Sequence, residues 1–91
     1  MSQRLSANAL IANKLGLHAR AAAKLVEAAA RFRSHIQVRK DGETVDARSI
    51  LGLMMLNARI GTSIEIVVEG ADAPEALAAV LALVEAKFGE D

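Results

Sequence analysis

From Leu5 to Ile11 the chain alternates, with Leu5, Ala7, Ala9 and Ile11 separated by Ser6, Asn8 and Leu10. A period of two predicts a strand with one face covered. The period changes after Gly16. Over residues 19–33 the apolar positions Ala22, Leu25, Val26, Ala29 and Phe32 recur at helical spacing, which predicts an amphipathic helix entered from a loop over 13–17. Alternation returns over residues 35–40 through Ile36 and Val38, the dipeptide Asp41-Gly42 signals a tight turn, and residues 43–46 come back as a short strand. The three pieces predict a hairpin.

Ser49 is a capping residue for a short apolar helix from Ile50 to about position 57, and Gly61 then releases the chain into a strand over 62–69 with Ile64, Ile66 and Val68 inward. Asp72-Ala73-Pro74-Glu75 resembles a capping box with proline in the first turn. The stripe Leu77, Val80, Leu81, Val84 and Phe88 that follows predicts a last helix. The order βαββαβα implies an α+β open-faced sandwich, with two longer helices on one face of a small sheet and a short helix at its edge.

Composition narrows the function. A chain of 91 residues with one Pro and six scattered Gly is expected to form one domain, 1–91, around one core. Its only aromatics are Phe32 and Phe88, too few for a base-stacking platform, so no nucleic-acid partner is expected. Net charge is zero but uneven: up to Arg48 there are nine basic residues against four acidic, and beyond it two against seven. A basic half gathered at one site would attract an acidic partner surface, with association weakening as salt rises. Absence of cysteine excludes disulfides, thiolate chemistry and cysteine metal sites. With neither a signal-like start nor an apolar run long enough for a bilayer, the expectation is a soluble, cytoplasmic, monomeric protein without membrane insertion.

Chemistry concentrates in Lys14-Leu15-Gly16-Leu17-His18-Ala19-Arg20-Ala21-Ala22. A histidine at a helix mouth lies beside unpaired N–H groups and the positive end of the macrodipole, so an anion carried on its ring is stabilised there. Near neutral pH much of an imidazole is unprotonated and nucleophilic, its ordinary pKa being about 6.5. His18 is therefore the candidate nucleophile, Arg20 the phosphate partner, and the Ala19 and Arg20 N–H groups the anion donors. Gly16 is expected to keep the approach to the ring open. A plain helix-capping histidine fits the same residues. His35 heads a strand with no helix after it and is expected on the surface, and neither histidine has further ligands at metal-binding spacing. No metal or cofactor is expected.

Gly16-Leu17-His18-Ala19-Arg20 resembles the active-site motif of the HPr family, the histidine phosphocarriers of the bacterial phosphotransferase system. Arg48-Ser49-Ile50-Leu51-Gly52-Leu53-Met54-Met55-Leu56 is similar to the second HPr signature, around its regulatory serine. Separation and element order agree over nearly the whole chain. The resemblance implies an HPr-like open-faced β-sandwich with a four-stranded antiparallel sheet, and a stoichiometric carrier rather than an enzyme. It further implies phosphorylation of His18 at Nδ1 by enzyme I, or its nitrogen-branch counterpart, with transfer onward to enzyme IIA.

By the same resemblance Ser49 is a target of HPr kinase/phosphorylase with Arg48 adjacent, although a simple N-cap role also accounts for it. Leu17, Ile50, Leu51 and Met54 form a partner-binding patch, with Leu53 and Leu56 turned to the core; for each of these apolar residues burial is the competing reading. Ala21 stands where most members have proline, which would loosen the helix entry slightly. Ile11-Ala12-Asn13-Lys14-Leu15-Gly16 and the tail Ala76-Leu77-Ala78-Ala79-Val80 look like the nitrogen branch (NPr), whereas Arg48-Ser49-Ile50 looks like HPr proper. Both branches, and a regulatory binding role centred on Ser49, stay open at this point.

Overall fold

In the computed structural model, which describes residues 2–90, the alternating segments become four antiparallel strands: β1 (Gln3–Leu10), β2 (His35–Lys40), β3 (Glu43–Asp46) and β4 (Ser63–Gly70). Their spatial order is β1-β4-β2-β3, so β4 lies between β1 and β2. Helices α1 (Ala19–Ala30), α2 (Ile50–Met55) and α3 (Ala73–Glu85) and a one-turn 3-10 segment (Lys87–Gly89) complete the chain. Register follows the hydrophobic pattern. Ala7 and Val38 both face Ile66, and Leu5 and Ile36 both face Val68, so the inward residues share one face and pack on the helices. The opposite face carries polar cross-strand pairs such as Arg4–Glu69 and Arg39–Glu65. Val67 also lies on that face, yet the flanking strands bury it.

The hairpin turn matches its dipeptide. Lys40 pairs with Glu43, leaving Asp41 and Gly42 as a two-residue loop with φ of 51° and 82°, the left-handed pair that suits the twist of the strands.

Helix α1 stops at Ala30, not at Arg33, because other elements claim the backbone beyond it. The Asp72 carboxylate accepts from the Arg33 and Ser34 N–H groups and from the Ser34 hydroxyl. This also corrects the capping box, since Asp72 makes no side-chain cap on α3. Helix α2 ends at Met55 because Asn57 turns left-handed, at φ 54°, with its N–H on the Met54 carbonyl. Helix α3 ends at Glu85; Phe88 is fully buried as its spacing predicts, but at φ 54° outside the helix. Ala21 lies in the core on the buried face of α1, which starts at Ala19.

Candidate functional site

His18 is the N-cap of α1. Its backbone is extended, its carbonyl accepts from Ala22 N–H, and its Nδ1 accepts from Arg20 N–H at 3.3 Å. The loop before it is held from two sides. Leu17 N–H donates to the Ala58 carbonyl at 2.9 Å, and the buried Asn13 amide donates to the Gly16 carbonyl at 2.8 Å. Gly16 adopts φ +66°, and a Cβ there would lie 2.5 Å from the Ala58 carbonyl oxygen. Its glycine therefore serves close passage of two backbones rather than access to the imidazole.

The other ring nitrogen meets a residue that sequence reasoning missed. His18 Nε2 lies 2.8 and 3.0 Å from the two carboxylate oxygens of Glu90, 72 residues on in the chain. A carboxylate accepts only, so Nε2 is the donor. Nδ1, which accepts from Arg20 N–H, is the nitrogen with the free electron pair. Asn13 Nδ2 donates to the same Glu90 carboxylate at 3.1 Å. These bonds, the ring of His18 foremost, hold the Glu90 carboxyl below its ordinary 4.5. The His18 side chain is 26% exposed and that of Glu90 15%, so the ring is reachable while its Nε2 edge is covered. A signal in the sequence, Phe88 with one glycine after it, was too slight to reveal the turn that carries Glu90.

Cations gather only in part. Lys14 and Arg20 line an open hollow with Leu15, Gly89 and Glu90, and Arg59 joins Leu15, Leu17, Met54 and His18 around a second. The rest of the basic half is dispersed. Arg4 and Arg39 pair with glutamates on the open sheet face. The Arg48 guanidinium donates to the Ala29 and Phe32 carbonyls at 3.2 and 2.8 Å, where a cation suits the negative end of α1. Arg48 is thus committed to α1 rather than standing as a free partner for Ser49. Of the expected anion donors, the Arg20 N–H is occupied by the ring, and among the described residues the Ala19 N–H has no hydrogen-bond acceptor.

Ser49 caps α2 through its hydroxyl oxygen, which accepts from Gly52 N–H at 3.0 Å. After it Leu53 and Leu56 are buried, while Ile50, Leu51, Met54 and Met55 are exposed. Leu17 is the exception to the expected patch: at 5% exposure it belongs to the core, anchored by its N–H to Ala58. Leu15 and Met55, both 71% exposed, stand on the surface in addition to the expected residues. His35 is exposed and pairs with Asp46 at 3.5 Å. Among the described residues no cluster of three potential metal ligands occurs, and no helix is long and apolar enough to cross a membrane.

Residues 5–86 match the family model described as the PTS HPr component phosphorylation site. The chain is 48% identical to the phosphocarrier protein HPr of Cupriavidus necator over 86 residues, covering 94% of this chain and 97% of that protein. It is 45% identical over 87 residues to the phosphocarrier protein NPr of Shewanella violacea, covering 96% of each. Among solved structures, HPr from Thermoanaerobacter tengcongensis superposes with a TM-score of 0.91 at 44% identity, covering 96% of this chain and 98% of that one.

Proposed function

The chain belongs to the HPr family of phosphotransferase-system phosphocarriers, and from that premise we propose that His18 accepts a phosphoryl group from enzyme I and passes it to an enzyme IIA domain. The observation that carries the reading is an unprotonated Nδ1 at the mouth of α1, accepting from the Arg20 N–H and backed by an Nε2 proton directed at Glu90. In the forward step the Nδ1 electron pair forms the N–P bond. The bond from phosphorus to the donor's ring nitrogen breaks, and its electron pair leaves with the donor imidazole. The Arg20 N–H, no longer needed by Nδ1, turns to a phosphoryl oxygen together with the Ala19 N–H. Arg20 adds charge, so positioning and neutralisation do most of the work. Nitrogen protonates readily, and a phosphoramidate therefore retains high transfer potential, which a relay needs.

Docking on both partners is assigned to the exposed Ile50, Leu51 and Met54, with Leu15 and Met55 exposed as well; of these, Leu15 and Met54 line a hollow with the ring. Incubation with enzyme I and phosphoenolpyruvate is expected to add one acid-labile phosphate. His18→Ala abolishes it, and normal labelling of that variant overturns the assignment. Because relatives of both names match similarly, the labelling is run with the sugar-branch and the nitrogen-branch donors, and the faster donor identifies the branch. Ser49 is proposed as a regulatory phosphorylation site: a phosphate at the cap places negative charge beside the docking surface and opposes an acidic partner. Equal partner affinity of Ser49→Asp and Ser49→Ala removes that role.

A further inference from the structure

The chain's last described turn seats Phe88 in the core and also brings the residue after it to the ring of His18. Lys87, Phe88 and Gly89 take successive φ values of 58°, 54° and 74°, two of them on residues that pay a steric penalty there. The Phe88 ring is fully buried, its carbonyl accepts from the Lys24 ammonium, and Asn13, itself fully buried, donates to the residue that follows the turn. All three contacts converge on one outcome: the Glu90 carboxylate is aimed at Nε2 of His18. The left-handed backbone at Lys87 and Phe88 thus holds the following residue against the ring, and the contact itself points to a role for that residue in the ring's chemistry.

We propose that Glu90 is a positioning residue for phosphoryl acceptance, fixing the ring proton on Nε2 so that Nδ1 meets the donor, and facing the positive charge that the ring acquires. The consequence for transfer rests on the phosphocarrier reading; the statement about the ring proton rests on geometry alone. When the Nδ1 electron pair goes to phosphorus, the proton stays on Nε2 and the ring becomes cationic. A carboxylate 2.8 Å away stabilises that cation, as a carboxylate does behind a catalytic histidine generally. On release the electron pair of the N–P bond returns to Nδ1, and a neutral imidazole leaves with its Nε2 proton in place. Acceptance moves the ring toward the cation and therefore slows when the carboxylate is removed, whereas onward transfer starts from that cation and is not slowed by the same loss. Asn13 acts one step further out, orienting the carboxylate by donating to Oε1.

The test uses the full chain labelled with nitrogen-15 in histidine, with Glu90→Gln and Glu90→Ala, and with Glu85→Gln on the exposed end of α3 as control. Glutamine keeps the length of the side chain but both donates and accepts, so it releases the tautomer without emptying the space. At about pH 8, above the ordinary histidine pKa, the parent and the control are expected to show a protonated Nε2 and a bare Nδ1. Both Glu90 variants show averaged ring-nitrogen shifts. Single-turnover phosphorylation by enzyme I at saturation falls about tenfold in Glu90→Gln, at the low end of what removal of a carboxylate behind a metal-bound histidine costs, and KM moves less than twofold.

A pure Nε2–H tautomer in both variants overturns the proposal, and so does a loss expressed wholly in KM, which marks a docking role. A parent chain that takes no phosphate while its tautomer is fixed as expected refutes the phosphocarrier reading and the rate consequence together, but leaves the proton assignment standing.

Discussion

Phe88 joins the core to the reactive ring, and its replacement tests both. Its side chain is fully buried among core residues. Burying about 200 Å² of phenylalanine at about 25 cal/mol per Å² is worth about 5 kcal/mol. Alanine retains part of this and a chain end relaxes more than a core centre, so Phe88→Ala is expected to lose about 3–4 kcal/mol. For a domain of this size that lowers Tm by about 15–25 °C. Phe88→Gly sharpens the argument. At φ 54° alanine bears a penalty of about 1–2 kcal/mol that glycine escapes, against about 0.4–1 kcal/mol for glycine's freer unfolded chain. The glycine variant should therefore be more stable than the alanine variant by about 0.5 kcal/mol, whereas in a helix it is less stable by about 1 kcal/mol. Urea unfolding of the three proteins measures the differences. A glycine variant clearly below the alanine one refutes the left-handed turn, and a loss under about 1 kcal/mol for Phe88→Ala refutes its place in the core.

Gly16→Ala should cost more than about 2 kcal/mol, because left-handed strain of about 1–2 kcal/mol adds to a Cβ 2.5 Å from a backbone oxygen. Calorimetry checks it, and a Tm unchanged from the parent rejects the close passage at Ala58. Asp72→Asn tests the clamp between α1 and α3. The Ser34 hydroxyl first, then the Arg33 N–H, holds the Asp72 carboxyl below its ordinary 3.8. A carboxyl with a lowered folded value stabilises the fold above its unfolded value, and this contribution is lost as pH falls through the folded one. The variant should therefore be less stable than the parent at pH 7, with the gap narrowing below pH 3.8. Chemical denaturation across pH reads this, and a gap that widens with acid contradicts it.

Periodicity, with the Asp41-Gly42 turn and the Ser49 cap, located the four strands and three α-helices, because the longer elements bury one face and the sheet leaves its other face to polar pairs. It placed Ile64, Ile66 and Val68 inward and Phe88 in the core, burial being what spacing encodes. Spacing does not encode backbone handedness, so Phe88 read as helical when it lies past the end of α3. It is equally silent on long-range polar partners. Asp72 looked like the cap of its own helix but serves the backbone at Arg33 and Ser34, and Arg48 looked available to Ser49 but serves the end of α1. Leu17 belongs to an exposed-looking motif and is nonetheless core, since its N–H ties the loop to Ala58.

The arrangement of charge around His18 resolves an apparent conflict in the site. If His18 accepts a phosphoryl group as proposed, a carboxylate beside it ought to repel the incoming anion, and Glu90 lines the same hollow as Lys14 and Arg20. Its charge, however, is turned away from Nδ1, the nitrogen proposed to react: both oxygens lie on Nε2, and one also accepts from Asn13. On the Nδ1 side stand the positive end of α1 and the Arg20 N–H. The ring thus separates a negative edge from a positive one. An electron pair drawn toward phosphorus at Nδ1 leaves positive charge where the carboxylate waits and meets negative oxygens where the helix mouth waits. Exchanging the two edges would oppose transfer at both. A contact made 72 residues away in sequence therefore sets the polarity of a motif that, read locally, shows only its cationic half.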